Sequence, residues 1–282
     1  MKKQHDINND HAVVGIFTAA LIISLIVVVL GIVNTVYVPQ WMKTAEFQHM
    51  NQVSNQFAQL KYALDVQSLT NGSSAVGSLV TMGTIEIPFL GTHQSFDELW
   101  IPSNSCSFLI KNNSGYNHLY STGSIKFISH NTNFVDQSYI YEAGALILSQ
   151  ADKSVLSARP SILVTEYGKN LTIFFINVSA GTGADTLTSG RGTYLIYTQV
   201  IKNNQQYTVI HNVTNITIQT NYPDAWRDAF DVSLLNKGIE HQINTTTHSV
   251  IVNLIDDDYG DYFNIHIREI MVTADLAFGI VE

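Results

Sequence analysis

The sequence predicts an α+β protein: a long N-terminal membrane and stalk helix followed by a mainly antiparallel β-sandwich head. Three observations predict it. Residues 12–42 carry no charged side chain and are almost purely apolar through Val33. Met50, Val53, Phe57, Leu60 and Leu64 then recur at spacings of 3 and 4, the period of one helix face. Beyond residue 75 the apolar period shifts toward 2, as where Phe263, Ile265 and Ile267 alternate with Asn264, His266 and Arg268.

Residues 1–11 read as a short cytoplasmic leader, and residues 12–38 as a transmembrane or filament-core helix. About 20 apolar residues suffice to span a bilayer. A cleaved signal has an apolar stretch of about 7–15 residues followed by a small-residue cleavage site. Here the run is longer and ends on the interfacial aromatics Tyr37 and Trp41. Lys2 and Lys3 precede the helix and only Lys43 follows closely. That balance favours a cytoplasmic N-terminus in a single-pass cell-membrane protein, with the C-terminal domain outside.

Residues 39–69 read as an amphipathic stalk helix. Pro39 either starts it or kinks a helix continuous with the apolar one. Phe47 extends the stripe upstream, and Gln and Asn fill the opposite face. The stripe Met50, Val53, Phe57, Leu60, Leu64 packs on the protein's own head or between molecules of an assembly.

Residues 70–282 read as the extracytoplasmic β-rich head. Strands are expected at 83–90, 124–129, 138–148, 161–166, 170–178 and 193–201. Val250, Val252 and Leu254 and the strand from Phe263 read as a hairpin, with turn residues at 256–261. Its alternation breaks near Glu269 and Ile270, which suggests a bulge. A short helix at 223–236 would put Trp226, Phe230 and Leu234 on one face behind Pro223. Asn-x-Ser/Thr sequons at Asn71, Asn112, Asn170, Asn177, Asn212, Asn215 and Asn244 are glycosylation candidates.

Composition excludes several function classes. The formal net charge is −9, and residues 1–69 are internally balanced, so the whole deficit falls in the head. No basic cluster exists, which argues against nucleic-acid binding. The lone cysteine, Cys106, excludes an intrachain disulfide and leaves a buried thiol or an intermolecular disulfide. Asp256, Asp258 and Asp261 form a candidate calcium set, because hard cations take several carboxylate oxygens on a loop. The plainer reading is a solvated hairpin tip. The sequence has no His-Glu-x-x-His, Gly-x-Ser-x-Gly or complete phosphate-loop pattern. No cofactor, small-molecule substrate or catalysis is expected.

A polar leader, a long apolar helix, an amphipathic continuation and a β-head form the plan of type IV pilin-like proteins. The stretch from Tyr37-Val38-Pro39-Gln40-Trp41 to Met50 resembles a juxtamembrane segment of pilin-like surface proteins from methanogens and haloarchaea. The segment from Tyr139 through Glu142-Ala143-Gly144-Ala145 also resembles theirs. So do Arg159-Pro160-Ser161 and the strand that follows from Asn170, and Gly190 to Thr193. The resemblance implies leader cleavage near residues 10–13 and bundling of the helices into a filament core. It also implies partners: membrane lipid, and other pilin-like subunits through the N-terminal helix. Ile16 stands about where pilins often carry a glutamate.

These observations together predict a membrane-anchored, extracytoplasmic pilin-like protein, structural or adhesive, with filament subunit among its roles. The alternative is a membrane-anchored surface binding module of the same topology that does not polymerise.

Overall fold

The computed structural model describes residues 4–70, 74–84, 95–165, 170–201, 206–254 and 263–278, with side chains from Val13 onward. Helix α1 (Gln4–Ile32) passes through a π-helical turn (Val33–Tyr37) into α2 (Val38–Thr70) without a break. At 1.5 Å per residue this rod is roughly 100 Å long. Pro39 has no N–H to donate, and its ring crowds the preceding turn of an α-helix. The wider π turn just upstream relieves that crowding, with the Val38 N–H reaching back to the Val33 carbonyl. Pro39 therefore lies inside a continuous helix.

Every described side chain from Val13 to Ile32 is exposed. Among the described residues this is one helix long and apolar enough to cross a membrane. Burial begins at Met42 and then follows the stripe down α2.

The head contains strands β1 (Val76–Met82), β2 (Phe96–Trp100), β3 (Cys106–Asn112), β4 (Asn117–Thr122) and β5 (Ser124–His130). There follow β6 (Ser138–Glu142), β7 (Ala145–Gln150), β8 (Lys153–Ala158), β9 (Ile162–Val164), β10 (Asn170–Ala180) and β11 (Leu187–Gly190). Next come β12 (Gly192–Val200), β13 (Gln206–Gln219), helix α3 (Pro223–Leu235), β14 (His241–Thr245), β15 (Ser249–Leu254) and β16 (Phe263–Phe278). One sheet runs β1-β12-β16-β13-β15-β14, with β10 and β9 branching from β16, and β3 and β4 from β13. The other runs β11-β2-β5-β6-β7-β8. Pairing among the described strands is antiparallel except between β10 and β16. The architecture is thus α+β, with a sandwich-like head behind one long helix.

Two cores share this head. One gathers Phe108, Phe175, Ile216, Trp226, Phe230 and Ile265 under α3. The other gathers Val80, Phe127, Tyr141, Ile196 and Val272 against α2. On β16, Phe263, Ile265 and Ile267 enter the first core, whereas Ile270, Val272 and Ala274 enter the second. On β10, Phe175 belongs to the first and its neighbour Ile176 to the second. Successive strand residues point to opposite faces. The paired strands therefore pass between cores lying on their two faces.

That arrangement corrects the bulge expected near Glu269. The β10–β16 register runs without a shift from Asn170↔Asn264 to Ala180↔Ala274. What changes at Glu269 is which face is covered. A register shift does occur in β13, between Ile210 and Val213, where Asn212 sits at φ 58°.

The hairpin is corrected too. Among the described residues β15 and β16 do not pair with each other. Val213 lies between Asn112 and Phe263, and Asn215 lies between Lys111 and Asn253. β15 and β16 therefore sit end to end on one edge of β13, each antiparallel to it. The expected strand at 138–148 is two strands, turning through Ala143 at φ 46° and Gly144 at φ 87°. Both turn residues have positive φ, as the tight hairpin turn requires. Of the expected strand at 83–90, residues 85–90 lie outside the described residues, and the strand found there, β1, ends at Met82.

Candidate functional site at the helix–head junction

The stripe residues Met50, Val53, Phe57, Leu60 and Leu64 are 0–2% exposed and belong to the core shared with the head. Fully burying each such side chain contributes about 1.5–3 kcal/mol. Phe57 meets Phe127 edge-on at 6.2 Å and Tyr139 at 6.0 Å. Phe47 is not part of this buried row. It is about half exposed and only leans on Phe134, 5.7 Å away.

The place in the stripe one turn before Met50 is taken by Glu46, which is fully buried. Its Oε1 accepts the backbone N–H of Thr132 at 2.9 Å. Its Oε2 accepts those of Asn133 and Phe134 at 2.7 and 2.6 Å. Three successive N–H groups converging on a carboxylate form an anion-holding nest. Bonds of this charge-assisted kind are the stronger class of hydrogen bond. They tie the first exposed turns of α2 to the loop between β5 and β6.

One turn further on, His49 Nε2 lies 2.7 Å from Asp97 Oδ2, and Asp97 is fully buried. The same Asp97 oxygen accepts the N–H of Gly83. Gly83 has φ 74°, and a Cβ there would lie 2.6 Å from Arg191 Cγ. Glycine is needed for the chain to bring its N–H to Asp97. Gln56 receives the Thr81 N–H at 2.9 Å and donates to the Thr81 hydroxyl. At the far end Gln67 donates to the Thr198 carbonyl and accepts the Thr198 hydroxyl at 2.9 Å. The polar contacts thus fix the helix along its whole docked length, from Glu46 to Gln67.

A third buried carboxylate, Glu142, lies on the other side of the head's middle strands. It accepts the Thr220 hydroxyl at 2.7 Å and the Trp226 indole N–H at 2.8 Å. Burial pushes its pKa up from an ordinary 4.5 to about 6, against the lowering effect of those donors and of Lys126. It couples the sheet holding β6 to α3. Cys106 beside it is 1% exposed, and burial, with Glu142 nearby, pushes its thiol pKa well up.

The sequons fall in different surroundings. Asn212 and Asn244 are exposed. Asn112 uses its side-chain oxygen to receive the Ser114 and Tyr116 N–H groups. Asn170 receives the Asn264 amide at 3.3 Å, and Asn177 donates to Glu269 at 2.8 Å. Asn215 is half-buried, and its Oδ1 is fully enclosed. Asn71 lies outside the described residues, as do Asp256, Asp258 and Asp261. Among the described residues no group of three or more potential ligands could hold a metal ion.

Residues 127–268 match the model of a family of unknown function (DUF7289). That segment begins in β5 and ends in β16, wholly within the head. No curated protein and no solved structure shows a match.

Proposed function

The chain belongs to this family of unknown function, and we propose that it is a membrane-anchored, externally displayed pilin-like protein, structural or adhesive in role. One observation carries the reading. A single unbroken helix is bare and apolar over Val13–Ile32, then becomes part of the head's core from Met50 to Leu64. A bare apolar helix needs lipid or other helices around it. A docked continuation holds the head at a fixed place relative to that anchor. The charge balance around the apolar run, Lys2 and Lys3 against Lys43, supports an inside N-terminus and an outside head. Glycans, where present, go first to the exposed Asn212 and Asn244.

The test is the N-terminus and intact mass of the protein from its native membrane. A start near residues 12–14 with the apolar helix retained supports prepilin-type processing and a filament subunit. A start at Met1 supports the solitary binding module. A start beyond residue 38 removes the anchor and overturns the reading.

A further inference from the structure

The end of the head away from the Glu46 nest carries a groove. β5 runs from the nest loop at His130 back to Ser124, roughly 20 Å along the strand. Two cavities open around that far end, and a third continues from them toward the turn between β7 and β8. The first, of about 480 Å3, lies between Trp100, Pro102, Lys126 and Tyr222. The second, of about 520 Å3, is lined by Gln219, Thr220 and Ser249. The third, of about 630 Å3, is lined by Ser149 and Thr245 and by both acidic and basic side chains, Asp152, Asp224 and Lys153. The first two share Ser105 and Asn221, and the last two share Asn221, Thr246 and His248. Each volume lies within the roughly 300–1,000 Å3 of ordinary ligand pockets.

The lining chemistry narrows the occupant. The middle cavity contains no Asp, Glu, Lys or Arg, and is walled by hydroxyl and amide side chains together with His248 and Cys106. Such a wall attracts neither a polyanion nor a polycation and offers no apolar pocket to anchor a peptide side chain. Ser105 Oγ, at the junction of the first two cavities, is buried and meets no hydrogen-bond partner among the described residues. Groups of that kind call for a polar partner.

The first cavity adds a ring platform. Trp100 is 40% exposed and is the direct cross-strand neighbour of Lys126. The Lys126 ammonium sits 6.0 Å from the Tyr222 ring and has no hydrogen bond or ion pair to a described side chain. Burial lowers its pKa from the ordinary value, and the carboxylates of Glu98 and Glu142 act against that. It lines the cavity as a hydrogen-bond donor.

We propose that this groove binds an uncharged oligosaccharide strand, with one sugar ring against Trp100 and the following units along Ser105, Asn221 and Thr246. This deepens the adhesive form of the reading above. Only the ligand's origin, an envelope or neighbouring-cell glycan, rests on that reading.

The experiment is calorimetric titration of the full-length chain in a zwitterionic detergent, since glucoside head groups would compete. The probes are cellohexaose and chitohexaose, with hexagalacturonate and a Gly-Ser hexapeptide as controls. At least one uncharged hexasaccharide should saturate, with its disaccharide about tenfold weaker. Trp100→Ala should weaken it about tenfold, the loss of one aromatic stacking contact of about 1.4 kcal/mol. Asn221→Ala, at an exposed position, should weaken it severalfold at unchanged melting temperature. No binding of either uncharged probe at about 5 mM, binding of a control alone, or full affinity in Trp100→Ala would overturn the proposal. Failure of the anchor reading shows separately, as release of the chain from membranes without detergent.

Discussion

The carboxylate of Glu46, on the helix, holds the backbone N–H of Asn133, on the head, at 2.7 Å. Thr132 and Phe134 donate to the same group. A residue four positions after Met42 and four before Met50 thus does the work of an apolar one by satisfying itself with main-chain donors. Glu46→Ala should cost about 2–3 kcal/mol, the order of a charge-assisted hydrogen-bond set partly replaced by water. Hydrogen exchange of the Thr132, Asn133 and Phe134 amides should speed up in the variant. Unchanged protection at those three amides would sink the nest.

Phe57→Asp with Leu60→Asp puts two carboxylates into a core where both native side chains are 0% exposed. Each large-to-small change alone costs about 2–5 kcal/mol, before any charge is buried. The pair therefore exceeds most of a domain's margin of about 5–15 kcal/mol. The head should become protease-sensitive and lose its thermal transition. Gln59→Asp, on the exposed side of the same turn, is the control and should melt like the parent.

Glu142 makes stability depend on pH. Its folded pKa of about 6 exceeds the ordinary 4.5, so the folded chain keeps a proton that the unfolded chain releases. Stability from this group is present below about pH 4.5, is lost as pH rises through about 6, and stays lost above. The span corresponds to about 2 kcal/mol. Glu142→Gln keeps an oxygen for Thr220 and Trp226 and carries no charge. It should be the more stable protein at pH 7.5 and lose that advantage at pH 4.5. Parallel melting curves for the two proteins across this range would count against a neutralised Glu142.

Cys106 is enclosed, and its raised pKa keeps it as the thiol. Iodoacetamide should label it at least about a hundredfold more slowly in the native protein than in denaturant. Non-reducing gels should show no disulfide-linked dimer. Rapid native labelling would mean that the packing around Cys106 opens readily.

Much of this fold is readable from residue spacing. The apolar run is visible from its length and the Met50–Leu64 stripe from its period, and α3 is visible in Trp226, Phe230 and Leu234, all three buried. Glu46 and His49 fall in the phase of the stripe, a sign that each has a partner in the head. The partner of Glu46 is not readable, because it consists of backbone N–H groups common to any loop. The turn at Ala143 and Gly144 lacks the Asn-Gly or Asp-Gly pattern that marks a tight hairpin, so two strands look like one. The end-to-end placement of β15 and β16 depends on β13, which lies about 40 residues upstream and carries no local trace of it. The groove is assembled from strand ends and loops far apart in sequence, and polar loop residues have no period.

The β10–β16 pair serves both cores, one on each face. Loosening the packing under α3 therefore strips one face of the same strands that hold α2 on the other. The two halves of the head are thermodynamically indivisible, and heat should be absorbed in one cooperative step rather than two. Tension applied through the helix would then meet the whole head at once, a clutch and not a peelable leaf.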